Sequence, residues 1–276
     1  MASSFISSEW CSAGTTHQQP FFHYVKDNFL SEERYAALLR EFPDDSAFPD
    51  ITEENKKRLN SRRSPRAFDQ YLQTHATWKE FIEALSSEAF LSGLLELAAP
   101  ALQQARGLSG IRSWNYAGKR IKSGLATARS QKIRVVFEFS QLNNGSYIPP
   151  HTDSTDKLVT MMFYLADNHK AAIENAGTVF YQSAHNSGEK NWYNRKLDFS
   201  AVTPVAVNDF MANRICVFVK SDRTYHGLPE LHMPANTGRN SLNVNIYRRR
   251  PKRFRKLRAR LDDYYARFEK LRNDWL

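Results

Sequence analysis

The stretch Arg239-Asn240-Ser241-Leu242-Asn243-Val244-Asn245-Ile246-Tyr247 constrains the fold of this chain more than any other. Side chains alternate between the two faces of a strand, so Arg239, Ser241, Asn243 and Asn245 share one face while Leu242, Val244 and Ile246 share the other. Four polar groups on one side of a strand would be costly against a dry core. The stretch therefore predicts a β-structure with a polar cavity on one side and a packed shell on the other. Ile133, Val135, Phe137 and Phe139 alternate in the same way within residues 132–140. Leu158 to Leu165 is nearly all apolar, as for a strand covered on both faces, and there Thr160, Met162 and Tyr164 lie opposite Val159, Met161 and Phe163. Residues 178–181, 202–205 and 214–219 supply further strands.

Between two of these strands lies His151-Thr152-Asp153, preceded by Tyr147-Ile148-Pro149-Pro150. The two prolines cannot donate ladder hydrogen bonds, which places them at a sheet edge or a barrel mouth. In an extended segment His151 and Asp153 point the same way and can hold one metal ion together. A third ligand has to come from a distant strand, and His226 in Thr224-Tyr225-His226-Gly227 is the best candidate. His169 and His185 have no carboxylate partner in the required order, and His17 and His23 have no second ligand at useful spacing. Two histidines and a carboxylate on one side of a metal leave the opposite positions open, a set that favours non-haem Fe(II). Thirteen residues after His226, Arg239 and Ser241 offer a cation and a hydroxyl on one strand face, suited to gripping a carboxylate.

His-x-Asp, a distant His and Arg-x-Ser, in that order, resemble the pattern of the 2-oxoglutarate and Fe(II)-dependent oxygenases, particularly the branch containing the prolyl hydroxylases. The resemblance covers about residues 130 to 250 and departs slightly at Ala176-Gly177, where the family often has two glycines. It implies a mainly β fold with supporting helices, a double-stranded β-helix (jelly roll, cupin-like) with eight core strands from about 132 to 247. It also implies His151, Asp153 and His226 as ligands of Fe(II), with 2-oxoglutarate and O2 as co-substrates. Arg239 and Ser241 match the residues that hold the distal carboxylate of 2-oxoglutarate, with Tyr164 as a helper and Tyr147 counted beside them. With Tyr164 in that role, Thr160 and Met162 would line the cavity. The implied chemistry is oxidative decarboxylation of 2-oxoglutarate to succinate and CO2, coupled to hydroxylation of a substrate C–H bond.

Three expectations follow for the substrate. The chain shows no separate peptide-binding or nucleic-acid-binding module, which favours a small polar metabolite, anionic if a local cation selects it. The alternative is a peptidyl, prolyl-type hydroxylase, and a non-enzymatic jelly-roll binding protein is a third reading. The excursion from Ala184 to Lys196 is longer than usual between strands and carries His185, Trp192, Tyr193 and Arg195. Trp192, Tyr193 and Arg195, with Asn243 on the cavity face, are the expected substrate contacts, the loop acting either as a lid or as a surface insertion.

Around the core, residues 1–130 are expected to form an N-terminal helical support region, 131–250 the catalytic core and 251–276 a basic amphipathic C-terminal helix. Residues 1 to about 20 are polar and read as a surface-running lead, followed by a helix starting near Ser31 and closed by Phe42-Pro43. Asp44 to Pro65 reads as loop with a short helix at best, its Lys56-Lys57-Arg58 and Arg62-Arg63 clusters solvated by default, with contact between the arginines and a substrate as the alternative if the loop covers the active site. From Ser64 to Gln104 the stripe Trp78, Phe81, Ile82, Leu85 and the stripe from Phe90 to Ala98 predict two or three helices, ended by Ala99-Pro100. Trp114, Asn115 and Tyr116 form either a substrate-side wall or core packing.

Lys plus Arg number 39 against 29 Asp plus Glu, a formal +10, and the run from Arg248 to Arg260 holds nine of the cations. Phe254, Leu257, Leu261, Phe268 and Leu271 recur there at helical spacing, so the run begins a helix that packs on the barrel or pairs two chains as a homodimer. Without aromatic and basic interleaving, nucleic acid is not the expected partner. Two cysteines, Cys11 and Cys216, are too few for a disulfide framework. No signal peptide or membrane-spanning stretch is evident, and the expected location is cytoplasmic.

Overall fold

In the computed structural model the described residues are 5–104, 111–116, 119–122, 129–167, 173, 175–183, 194, 196–221, 223–234 and 237–249. In chain order they form β1 (Thr15–His17), β2 (His23–Lys26), α1 (Glu32–Arg40), β3 (Asp50–Ile51), β4 (Lys56–Asn60), α2 (Pro65–Thr74), α3 (Ala76–Leu85) and α4 (Glu88–Gln104). The second half forms β5 (Ile111–Tyr116), β6 (Lys119–Lys122), β7 (Arg129–Leu142), β8 (Ile148–His151), β9 (Lys157–Tyr164), β10 (Thr178–Ser183), β11 (Val202–Asn208), β12 (Ile215–Val219), β13 (Tyr225–Leu228) and β14 (Arg239–Arg248).

Eight of these strands make two facing antiparallel sheets. One runs β12-β9-β14-β7 and the other β11-β10-β13-β8, so successive strands from β7 onward fall alternately on the two sheets except where β10 meets β11 in a hairpin. This is the double-stranded β-helix. The first sheet is extended on one side by β2 and β1 and on the other by β4 and β3, while β5 and β6 join the N-terminal end of β7.

Alternation decides what each face meets. Leu242, Val244 and Ile246 of β14, Val159, Met161 and Phe163 of β9, and Phe137 and Phe139 of β7 join the core shared with the helices. Their neighbours Arg239, Ser241, Asn243, Asn245, Thr160, Met162, Glu138 and Ser140 line the interior cavity. Apolar stripes on α3 and α4 cover the outer face, with Trp78 fully buried and edge-on to Phe139 at 4.7 Å between ring centroids. Trp78 also donates its indole N–H to the Leu38 carbonyl at 3.1 Å, which satisfies the one polar atom this side chain takes into the core. Truncating such a residue to alanine costs about 3–5 kcal/mol.

Three local expectations fail, each for a tertiary reason. The N-terminal lead is not confined to the surface: Phe5, Ile6 and Trp10 are buried in the helical core, Trp10 stacking on Phe90 at 4.7 Å, and Thr15–His17 forms β1. Helix α4 continues through Pro100 to Gln104 instead of ending there. An interior proline costs a helix about 3 kcal/mol, and burial of Ala98, Ala99 and Leu102 around it offsets that cost. The segment read as loop between Asp44 and Pro65 contains β4, which pairs with β7 from Lys56 opposite Leu142 to Asn60 opposite Glu138. The expected C-terminal helix lies outside the described residues.

Candidate active site

The cavity between the sheets has a volume of about 440 Å³. His151 ends β8, an edge strand as the two prolines require, and His226 stands directly opposite it on β13. Their ring centroids lie 4.4 Å apart. Gly227 permits this approach: a Cβ there would come within 2.5 Å of the Ile148 carbonyl oxygen. Asp153 completes the group, with its carboxylate 3.6 Å from His151 Nε2 and 3.5 Å from His226 Nε2. One ligand atom from each of the three residues falls within 4.8 Å of the others.

Asp153 reaches this position by a route that strand alternation does not supply. Strand β8 stops at His151, and Asp153 adopts a left-handed backbone with φ of 67°. Few non-glycine residues accept that conformation, and aspartate is among those that do. The turn folds the carboxylate back beneath the two imidazoles, so the ligand pair predicted on one strand face is held instead by a strand end and a turn.

Hydrogen bonds preset the donor atoms. His151 Nδ1 lies 2.9 Å from the Pro149 carbonyl and His226 Nδ1 lies 3.0 Å from the Thr224 carbonyl, so each Nδ1–H donates to backbone and each Nε2 lone pair is left toward Asp153. Burial and the neighbouring His151 push the His226 pKa down to about 3, which keeps its ring neutral. Burial alone would raise the Asp153 carboxyl, but Lys157, whose Nζ is 2.8 Å from Oδ1, holds it well below the usual carboxylate range. Two imidazole Nε2 atoms and an ionised carboxylate, convergent and largely shielded, fit a divalent metal ion, and the set is the two-histidine, one-carboxylate triad of non-haem Fe(II) sites.

Arg239 lies farther along the cavity wall. It is 5% exposed, and its guanidinium donates through Nε to the Ala176 carbonyl at 2.6 Å and through Nη2 to Thr178 Oγ1 at 3.0 Å. The Tyr164 and Phe210 rings sit 5.2 and 5.3 Å from its charge centre. Burial lowers its pKa, and among the described residues no carboxylate is placed against it. A buried guanidinium with no carboxylate against it among the described residues, and Ser241 on the same lining face, is chemically suited to pairing with a carboxylate.

Tyr164 is fully buried and outside the cavity lining; its hydroxyl bonds Thr178 Oγ1 at 2.7 Å and accepts from Asn208 Nδ2 at 2.8 Å. It therefore stands behind Arg239 and Thr178. Tyr147 is 40% exposed and also outside the lining, whereas Asn243 lines the cavity. Trp192, Tyr193 and Arg195 lie outside the described residues.

The cavity also contains residues for which a solvated surface is the default expectation and substrate contact the alternative. Because β4 is a strand, Lys56, Arg58 and Asn60 face inward and Leu59 faces the helical core, and Arg62 and Arg63 follow at the rim. Lys56 pairs with the half-buried Glu138 at 2.7 Å, and Arg58 pairs with Asp50 at 2.6 Å. The period-two pattern was present in Lys56-Lys57-Arg58-Leu59-Asn60, but charge on both faces concealed it.

Fold and site together define a metal centre of the two-histidine, one-carboxylate type inside a double-stranded β-helix. No family model matches the chain, and no curated protein matches it. Among solved structures it is similar to a Pseudomonas putida prolyl-4-hydroxylase, at 15% identity over 90% of this chain and 98% of that one, with a TM-score of 0.39. It is also similar to a Trichoplax adhaerens prolyl hydroxylase in complex with a hypoxia inducible factor peptide, at 12% identity over 82% and 83% of the two chains, TM-score 0.38. A third is HygX from Streptomyces hygroscopicus with nickel and 2-oxoglutarate bound, at 11% identity over 82% of each chain, TM-score 0.41. None of the described helices is long and apolar enough to cross a membrane.

Proposed function

We propose that this protein is an Fe(II)- and 2-oxoglutarate-dependent dioxygenase that hydroxylates a C–H bond. The observation that supports it is the conjunction, in one cavity, of the His151, Asp153 and His226 triad with the buried and carboxylate-free Arg239. His151, Asp153 and His226 would hold the metal, which when loaded with 2-oxoglutarate and O2 supplies the oxidising chemistry. The chain's own residues bind and orient. Arg239 and Ser241 grip the distal carboxylate, Thr178 and Tyr164 hold the guanidinium in register, and the Nδ1–H bonds to Pro149 and Thr224 aim the two imidazoles. Lys157 binds one oxygen of Asp153 and leaves the other for the metal.

For the substrate, a small polar and anionic metabolite is the first reading, since six cationic side chains line the cavity against Asp153 and Glu138. The order of motifs resembling the prolyl-hydroxylase branch keeps a peptidyl proline as the second. The test is anaerobic titration with Fe(II) and 2-oxoglutarate, followed by succinate release under air across anionic metabolites and proline-containing peptides. Binding of both, with succinate formation raised by one substrate class, is the expected result. Absence of any 2-oxoglutarate binding to the metal-loaded protein would remove the proposal.

A further inference from the structure

The rim of the cavity on the β4 side is built around a turn that none of the metal or 2-oxoglutarate contacts uses. Glu138 on β7 lies half-buried beneath it; desolvation pushes its carboxyl up, but Lys56 and Asn60 outweigh this and hold it at about 2. Its Oε1 takes Lys56 Nζ and its Oε2 takes Asn60 Nδ2, each at 2.7 Å. That fixes the Asn60 carboxamide, whose Oδ1 in turn accepts the backbone N–H groups of Arg62 at 2.9 Å and Arg63 at 3.1 Å. Ser61 locks the same turn to β7, its N–H donating to the Phe137 carbonyl at 2.9 Å and its Oγ accepting from Phe137 N at 3.0 Å. The turn is thus pinned at four points, and it presents two guanidinium groups to the cavity.

Neither guanidinium is spent among the described residues. Among the described residues the side chains of Arg62 and Arg63 make no ion pair, and both line the cavity. Among the described residues, two further lining residues carry an unpartnered buried polar atom: Arg58 Nε, whose Nη2 alone is engaged by Asp50, and Oδ1 of Asn245, a side chain only 6% exposed. A buried carboxamide oxygen without a donor and a guanidinium edge without an acceptor, both on residues of the cavity wall, leave hydrogen-bonding capacity that a small rotation of the side chain would turn toward a bound polar molecule. Arginine forks match the geometry of phosphate and carboxylate oxygens, and a pinned turn spares the ordering cost of bringing two forks together.

We infer that Arg62 and Arg63, on the turn clamped by Asn60, form an anion subsite that holds a phosphate or carboxylate group of the substrate while another part of that substrate reaches the metal centre. The inference rests on the dioxygenase reading for the word substrate, and the anion site itself stands on the turn. It deepens the first reading: the substrate is a small molecule carrying an oxyanion remote from the carbon that is oxidised.

The test uses the full chain loaded with Zn(II) and saturating 2-oxoglutarate, so that Arg239 is occupied, and follows inorganic phosphate by the concentration dependence of its 31P line width. Saturable binding is expected in the wild type, weakened at least about tenfold in R62Q/R63Q, as for loss of a charge-assisted contact. R62K/R63K, which keeps the charge, should retain more of the affinity than the glutamine variant. Both arginines are exposed, so the variants should keep the wild-type melting temperature. Displacement of phosphate by acetate at similar concentration would assign the subsite to carboxylates as well, and failure of acetate to compete would assign it to phosphates. Affinity in R62Q/R63Q within about twofold of wild type, or no saturable phosphate binding in the wild type, would overturn the subsite. The same samples report 2-oxoglutarate binding, so a failed subsite with intact 2-oxoglutarate binding is distinguishable from a failed dioxygenase reading with an intact anion site.

Discussion

Replacing Arg239 by methionine should separate the stability of the protein from its capacity for 2-oxoglutarate. In the free protein the guanidinium is a buried charge with no carboxylate opposite, compensated by the Ala176 carbonyl, Thr178 and two ring faces. Removing a buried charge of this kind in favour of an apolar side chain of similar length is often neutral, so the unliganded protein should change by no more than about 1 kcal/mol. The liganded protein should change far more. Truncating one partner of a buried, hydrogen-bonded charge pair costs about 2–5 kcal/mol, which is roughly 30- to 4,000-fold in affinity. At 2-oxoglutarate about 100 times the wild-type dissociation constant, ligand binding stabilises by about 2.7 kcal/mol, and a 100-fold weaker variant at that concentration gains only about 0.4 kcal/mol. At about 2–4 °C per kcal/mol for a chain of this size, the 2-oxoglutarate-induced rise in melting temperature should fall from roughly 5–10 °C to about 1–2 °C. Differential scanning fluorimetry of the Mn(II)-loaded protein with and without 2-oxoglutarate reads both quantities. An induced shift in R239M equal to that of the wild type would refute the assignment of Arg239.

His151→Ala, Asp153→Ala and His226→Ala should each abolish succinate formation and stoichiometric metal binding, checked by metal analysis after gel filtration. Asp153→Ala should in addition destabilise the metal-free protein by about 3 kcal/mol, because it removes the partner of the half-buried Lys157 ammonium, and urea unfolding measures this. Tyr164→Phe should weaken 2-oxoglutarate only a few-fold while costing about 1–3 kcal/mol of stability, since it removes a buried acceptor of Asn208 and does not line the cavity. Glu138 has a folded pKa of about 2, below its unfolded value near 4.3, so its stabilisation is complete above about pH 4.5 and is lost as pH falls toward 2. The stability gap between wild type and Glu138→Gln, about 3 kcal/mol at pH 7, should therefore narrow at pH 3; a gap of constant size would count against the Lys56 and Asn60 clamp.

Alternation in β7, β9 and β14 was legible in the sequence because a period of two is local: once Arg239 faces the cavity, Ser241, Asn243 and Asn245 must follow, and Leu242, Val244 and Ile246 must turn to the helices. The three ligand residues were legible for a chemical reason, since only His151, Asp153 and His226 combine the donor types with strand-like surroundings. Non-local pairing decided the rest. Nothing within Lys56 to Arg63 announces that this segment will lie along β7, some 80 residues later in the chain, yet that pairing turns a charged stretch from surface into cavity wall. Burial of Phe5, Ile6 and Trp10 depends on a helical core that forms from residues 35–102. Asp153 reaches the triad through a positive φ that an alternation pattern cannot encode. Local sequence sets which face a side chain takes, whereas the neighbour across that face is set by long-range contacts whose energies outweigh local preference.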